Sequence, residues 1–203
     1  MKYKMTKAMK KSIVLFTLIS VSTQLMAQSP LPFAEIPDAP TEYTATSVTA
    51  RMIEGLGFRY YWATEGLRPE DLQFRPNEEA RTSEETLDHI LGLTTIILNS
   101  VTGVINDRPD PALDLSFEQK RERTLLNLKQ TSEILRSSNP EDMAGFNLVF
   151  KTAAGTTEYP FWNQINGPIS DALWHVGQVV SFRRTSGNPF NSKVSVLNGK
   201  VRD

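Results

Sequence analysis

Apolar residues recur at helical spacing in four separate stretches of the chain. The first is residues 42–65, where Val48, Met52, Ile53, Leu56, Tyr60 and Ala63 share one face. Gly66 is a suitable C-terminal stop. The second opens at Thr82-Ser83-Glu84-Glu85, a capping box, and carries Leu87, Ile90, Leu91, Thr94, Ile97, Leu98, Val101 and Ile105. Residues 106–111 end it. The third opens at Ser116-Phe117-Glu118-Gln119, a second capping box, and carries Leu125, Leu128, Ile134 and Leu135. The fourth begins at Pro168, a residue suited to the first helical position, and stops at Gly187 with Pro189 beyond. A turn starting near Phe161 leads into it, broken at Gly167-Pro168.

Connections are expected between these stretches. Residues 67–81, with Pro69 and Pro76, read as a loop. Residues 139–167 form a long crossover. Within it Phe146, Leu148 and Phe150 alternate with polar or smaller neighbours, and Ala154-Gly155 turns the chain back into residues 156–159, which predicts a small β-hairpin. The fold expected is all-α: a four-helix bundle over residues 42–190 with one long crossover containing a small β-hairpin. Residues 191–203 form a C-terminal tail that pairs locally or stays loose.

The N-terminal region has a different pattern. Five lysines (Lys2, Lys4, Lys7, Lys10, Lys11) precede the apolar run Ser12 to Val21, and Leu25-Met26-Ala27 reads as a small-residue cleavage site. The run is about half of the ~20 residues a membrane span needs. Residues 1–27 therefore read as a signal peptide, with residues 28–41, rich in proline, as an extended leader. The expectation is an exported protein, periplasmic in a Gram-negative bacterium and free of the membrane after cleavage.

Composition narrows the chemistry. The 203 residues carry 22 basic and 23 acidic side chains, so no charge excess favours nucleic acid. Cysteine is absent, which excludes disulfides, thiolate metal sites, iron–sulfur clusters and a cysteine nucleophile. Attention falls on the two histidines. Asp171 and His175 are four apart and share a helix face, the spacing of a metal-ligand pair, and His89 can supply a third ligand from another helix. An ion-paired surface couple is the simpler reading of such spacing. Glu85 repeats the spacing toward His89 but is also needed by its capping box.

Helical phase refines this. On the fourth helix Ile169, Ala172, Leu173, Val176, Val179 and Val180 share a face, whereas Asp171, His175, Gln178 and Phe182 form a stripe roughly 135° away. On the second, His89, Leu93 and Ile96 lie behind the main apolar face. Each back stripe is partly apolar, as expected where a second side of a helix lines a pocket or a subunit interface. Trp62 and Trp162 are the aromatics assigned to a pocket.

Several short motifs, in order, resemble the DinB-like superfamily over residues 42–190. They are Leu87-Asp88-His89-Ile90; His175-Val176-Gly177-Gln178 with Asp171 before it; Arg183 and Ser186-Gly187-Asn188-Pro189; Tyr61-Trp62-Ala63 with Leu67-Arg68-Pro69-Glu70-Asp71-Leu72 and Phe74-Arg75-Pro76; and Phe161-Trp162. The resemblance implies a four-helix bundle, often a homodimer, holding a divalent metal (zinc, nickel or iron) on three side chains, usually histidines. By position these are His89, Asp171 and His175. Asp171 departs from the family pattern, leaving two nitrogens and one oxygen. Gln178 and Glu85 are candidates to orient the ligands or move a proton. The function implied is a metal-dependent hydrolase or transferase acting on a small molecule. Family transferases use cytosolic thiols, which an exported protein would not meet. A non-catalytic exported binding protein and a structural dimer are the alternatives.

Overall fold

The computed structural model describes residues 30–107 and 115–203. The signal-peptide reading of residues 1–27 lies outside the described residues. No helix among the described residues is long and apolar enough to cross a membrane.

The protein is mostly helical. Among the described residues, the four long helices are α1 (Ala45–Thr64), α3 (Ser83–Thr102), α4 (Phe117–Ser137) and α6 (Ser170–Thr185). Two short ones are α2 (Pro69–Gln73) and α5 (Phe161–Gln164). A 3₁₀ turn spans Pro140–Gly145. Strands β1 (Leu148–Thr152) and β2 (Gly155–Tyr159) form an antiparallel hairpin in which Leu148 faces Tyr159 and Thr152 faces Gly155. The tail pairs locally, β3 (Val194–Ser195) against β4 (Lys200–Val201).

The capping boxes do what their chemistry demands. Thr82 Oγ1 accepts from Glu85 N–H and Glu85 Oε2 accepts from Thr82 N–H. Ser116 and Gln119 repeat the pattern for α4. At α1 the same reciprocal exchange is made by Thr44 and Ser47, which starts the helix three residues later than the apolar pattern suggested. α3 stops at Gly103, in the left-handed conformation with φ 69°, so Ile105 lies beyond the helix and is exposed.

α1 packs on α4 and α6, and α3 packs on the same two helices. Their shared core contains Ile53, Leu56, Tyr60, Leu87, Ile90, Ile97, Leu125, Leu128, Ile169, Ala172, Val176 and Val179. Buried polar links join the same helices. The Glu54 carboxylate accepts from Ser132 Oγ and is paired with Arg136, both on α4. The guanidinium of Arg183, buried on α6, donates to the carbonyls of Trp62, Ala63 and Glu65, satisfying the C-terminal end of α1.

Four expectations are corrected. The 67–81 loop contains α2, capped by Asp71, whose buried carboxylate also accepts from Ser186 Oγ and Asn188 Nδ2. The leader over residues 28–41 is not merely extended: Phe33 adopts φ 70° and inserts into the core against α1. A Cβ on Gly57 would lie 2.5 Å from the Phe33 ring, so glycine is required there. Pro168 does not start the fourth helix. The chain is helical from Phe161 onward, and a π turn at Ile165–Ile169 accommodates the proline, which has no N–H to give to the ladder. Finally, Val48 does not join the core. It is exposed, and with Met52 it lines a cavity.

The crossover is anchored by Asn106, just beyond α3. Its backbone N–H donates to Val149 O and its carbonyl accepts from Lys151 N–H, adding a parallel bridge to the outer edge of β1.

Candidate metal centre

α3 and α6 are neighbours, and they face each other at His89, Asp171 and His175. His89 Nε2 lies 3.0 Å from Asp171 Oδ2, and His175 Nε2 lies 3.2 Å from Asp171 Oδ1. The two imidazole rings meet edge to face, with centroids 4.7 Å apart. One ligand atom from each residue falls within 4.8 Å of the other two, so the cluster could hold a metal ion.

Helix geometry explains the convergence. Asp171 and His175 are one turn apart on α6, and their side chains stack. The neighbouring carboxylate on α3, Asp88, turns the other way and pairs with Lys120 Nζ at 2.7 Å. Consecutive residues point about 100° apart on a helix. His89 therefore faces α6 while Asp88 faces α4.

The hydrogen bond behind the site sets the roles of the ring nitrogens. His175 Nδ1 is 2.7 Å from Gln178 Oε1, an atom that can only accept. Nδ1 thus donates to Gln178, which leaves Nε2 as the ring nitrogen facing Asp171. Carboxylate oxygens are acceptors too. Acceptor atoms converging at this distance repel unless protons or a cation sit between them. The donor set suits a cation on chemical grounds: two imidazole nitrogens, one carboxylate oxygen and an acceptor orienting one of the rings.

The cluster is reachable from solvent. The side chains of His89 and Asp171 are about a third exposed, at 33% and 39%, while His175 is at 14%. Trp174, next to His175, is exposed.

No protein-family model, curated protein or solved structure matches this chain.

The other assigned residues separate. Gln178 sits at the cluster. Glu85 does not join it: its carboxylate is held by Thr82, whose backbone N–H keeps it below the usual carboxylate range. Trp162 lines an apolar cavity, but Trp62 does not; the Trp62 indole N–H donates to Ala34 O in the leader. The cavity is a separate place, since its lining includes none of the three cluster residues. Sequence reasoning did not find Tyr43, Val48, Met52 and Met143 as lining residues, because Val48 and Met52 keep the spacing of core positions.

Proposed function

We propose that the chain is an exported, DinB-like four-helix bundle that binds a divalent cation at His89, Asp171 and His175. We further propose that it acts as a hydrolase or transferase on a small molecule. The observation that carries this reading is the meeting of one ring nitrogen from each histidine and one carboxylate oxygen, from α3 and α6, within 4.8 Å. The ring of contacts among α1, α4, α3 and α6 supports the bundle. Export and a homodimer rest on the leader pattern and the resemblance alone.

A cation in such a site supplies a Lewis acid and lowers the pKa of bound water. The protein's own contribution is to position donors. His89 and His175 offer ring nitrogens, Asp171 offers carboxylate oxygens, and Gln178 orients the His175 ring. The partial exposure of His89 and Asp171 leaves one side open to a substrate.

Calorimetric titration with Zn²⁺, Ni²⁺ and Fe²⁺ tests the reading, using protein without a histidine tag. One site per chain is expected for at least one of the three. The His89→Ala, Asp171→Ala and His175→Ala variants should each lose at least tenfold in affinity. Titration without a saturable site, or affinity unchanged in His175→Ala, would refute it.

A further inference from the structure

A cavity of about 490 Å³ opens between the start of α1, the Pro140–Gly145 turn and α5, and it falls within the ~300–1,000 Å³ range of small-molecule sites. Its apolar wall includes Val48, Met52, Met143, Phe161, Trp162 and Ile165. From this cavity we infer a second binding site, independent of the metal centre, for a small uncharged hydrocarbon-rich molecule.

The wall selects the ligand class. Among the described residues, none that lines the cavity is charged. Three polar ones have partners inside the protein: Thr44 Oγ1 accepts from Ser47 N–H, Thr49 Oγ1 donates to Ala45 O, and Asn147 Nδ2 donates to Glu158. An ionised ligand would lose hydration here without a counter-charge. An apolar one gains contact with two methionines, whose flexible thioethers fill irregular space, and with three aromatic rings.

The chain is shaped toward this cavity. Trp162 and Ile169 are seven residues apart, which on a regular α-helix places them within about 20° of each other on one face. Ile169 is fully buried in the core, yet Trp162 is 75% exposed. The π turn at Ile165–Ile169 lies between them. Its wider turn rotates α5 away from the α6 phase, so Trp162 leaves the core face and stands at the cavity. The other aromatic at the mouth, Tyr43, is also exposed.

Concavity favours a compact molecule over a second protein surface. A flat partner face laid across the opening would leave a void, and unfilled volume forfeits dispersion contacts.

Titration with N-phenyl-1-naphthylamine, an uncharged fluorophore, tests the site, with decanol as competitor. Saturable one-site enhancement, displaced by decanol, is expected for the wild type. Val48→Glu places a charge in the wall, and Trp162→Ala removes an exposed wall; each should weaken binding at least tenfold with an unchanged far-ultraviolet spectrum. The His89→Ala, His175→Ala double variant should bind as the wild type does, whatever its metal content. No saturable binding, or full affinity in both wall variants, would overturn the inference. So would a wild-type dimer that Val48→Glu dissociates, since a second copy would then be the occupant.

Discussion

Gln178 holds His175 by a single hydrogen bond within one helical turn, Oε1 to Nδ1 at 2.7 Å, on the side of the ring opposite Asp171. The amide thus acts on the cluster through the imidazole.

Replacing Gln178 with leucine should weaken divalent-metal affinity ten- to a hundredfold, the usual cost of losing such an outer partner. Gln178→Glu restores an acceptor and should recover most of the loss. Isothermal titration of the three proteins measures this; equal dissociation constants would remove Gln178 from the site.

A cation shared by α3 and α6 would join residues 82 positions apart in the chain. Ligand present at a hundred times its dissociation constant stabilises a folded protein by about 2.7 kcal/mol. At roughly 2–4 °C per kcal/mol for a chain of this size, the melting temperature should rise by several degrees. EDTA should reverse the shift, and Asp171→Ala should show none. A metal-insensitive melting curve for the wild type would contradict the proposal.

Asp71 is buried and accepts from Arg68, Ser186 and Asn188, and the Arg68 guanidinium first among them holds its carboxyl well below the ordinary range. The folded pKa lies below the unfolded one, so this stabilisation is complete above about pH 4 and is lost as pH falls further. Asp71→Ala should cost roughly 2–3 kcal/mol at pH 7, because charged hydrogen bonds are broken. Denaturation from pH 7 to pH 3 should show the difference between the two proteins shrinking toward the acid end.

Burial pushes the Tyr60 hydroxyl up to about 12, outweighing the lowering effect of the nearby Thr124 hydroxyl, and no partner among the described residues has good hydrogen-bond geometry to it. In the unfolded chain it ionises near 10. The raised value contributes stability below about pH 10 that disappears as pH rises through 12. Tyr60→Phe should therefore cost less than about 1 kcal/mol at pH 7, since no well-formed hydrogen bond is broken. It should also make the protein more resistant to alkali. Ultraviolet titration at the tyrosinate band should lose its last component in the variant.

Much of the helical framework was legible in the chain. The boxes at Thr82/Glu85 and Ser116/Gln119 marked two helix starts to the residue. The Thr44/Ser47 box was missed because serine, not glutamate or glutamine, closes it. Phase placed His89 and His175 off the main apolar faces, and the structure has them half-buried between α3 and α6. Which carboxylate meets His89 was less accessible: Glu85 and Asp171 were both open by spacing, and the structure has Glu85 held by Thr82 and Asp171 3.0 Å from His89. The π turn was beyond a 100° periodicity, because one widened turn changes the phase without changing the composition. The cavity was hidden for a similar reason. Val48 and Met52 have the spacing of buried residues, and only the arrangement of neighbouring segments leaves their side uncovered.

Phe33 has a practical consequence for anyone trimming the chain. A fragment cut to residues 42–190 would retain His89, Asp171, His175 and every long helix. It would also expose an empty socket on α1 beside Gly57, where the Phe33 ring belongs. The missing tail matters as well, since Ile36 N–H donates to the carbonyl of Gly199 and the Ile36 side chain lies against that glycine. The two ends of the described domain clasp each other. A minimal folding unit should therefore begin before Leu31 and run past Gly199, well outside the limits drawn by its helices.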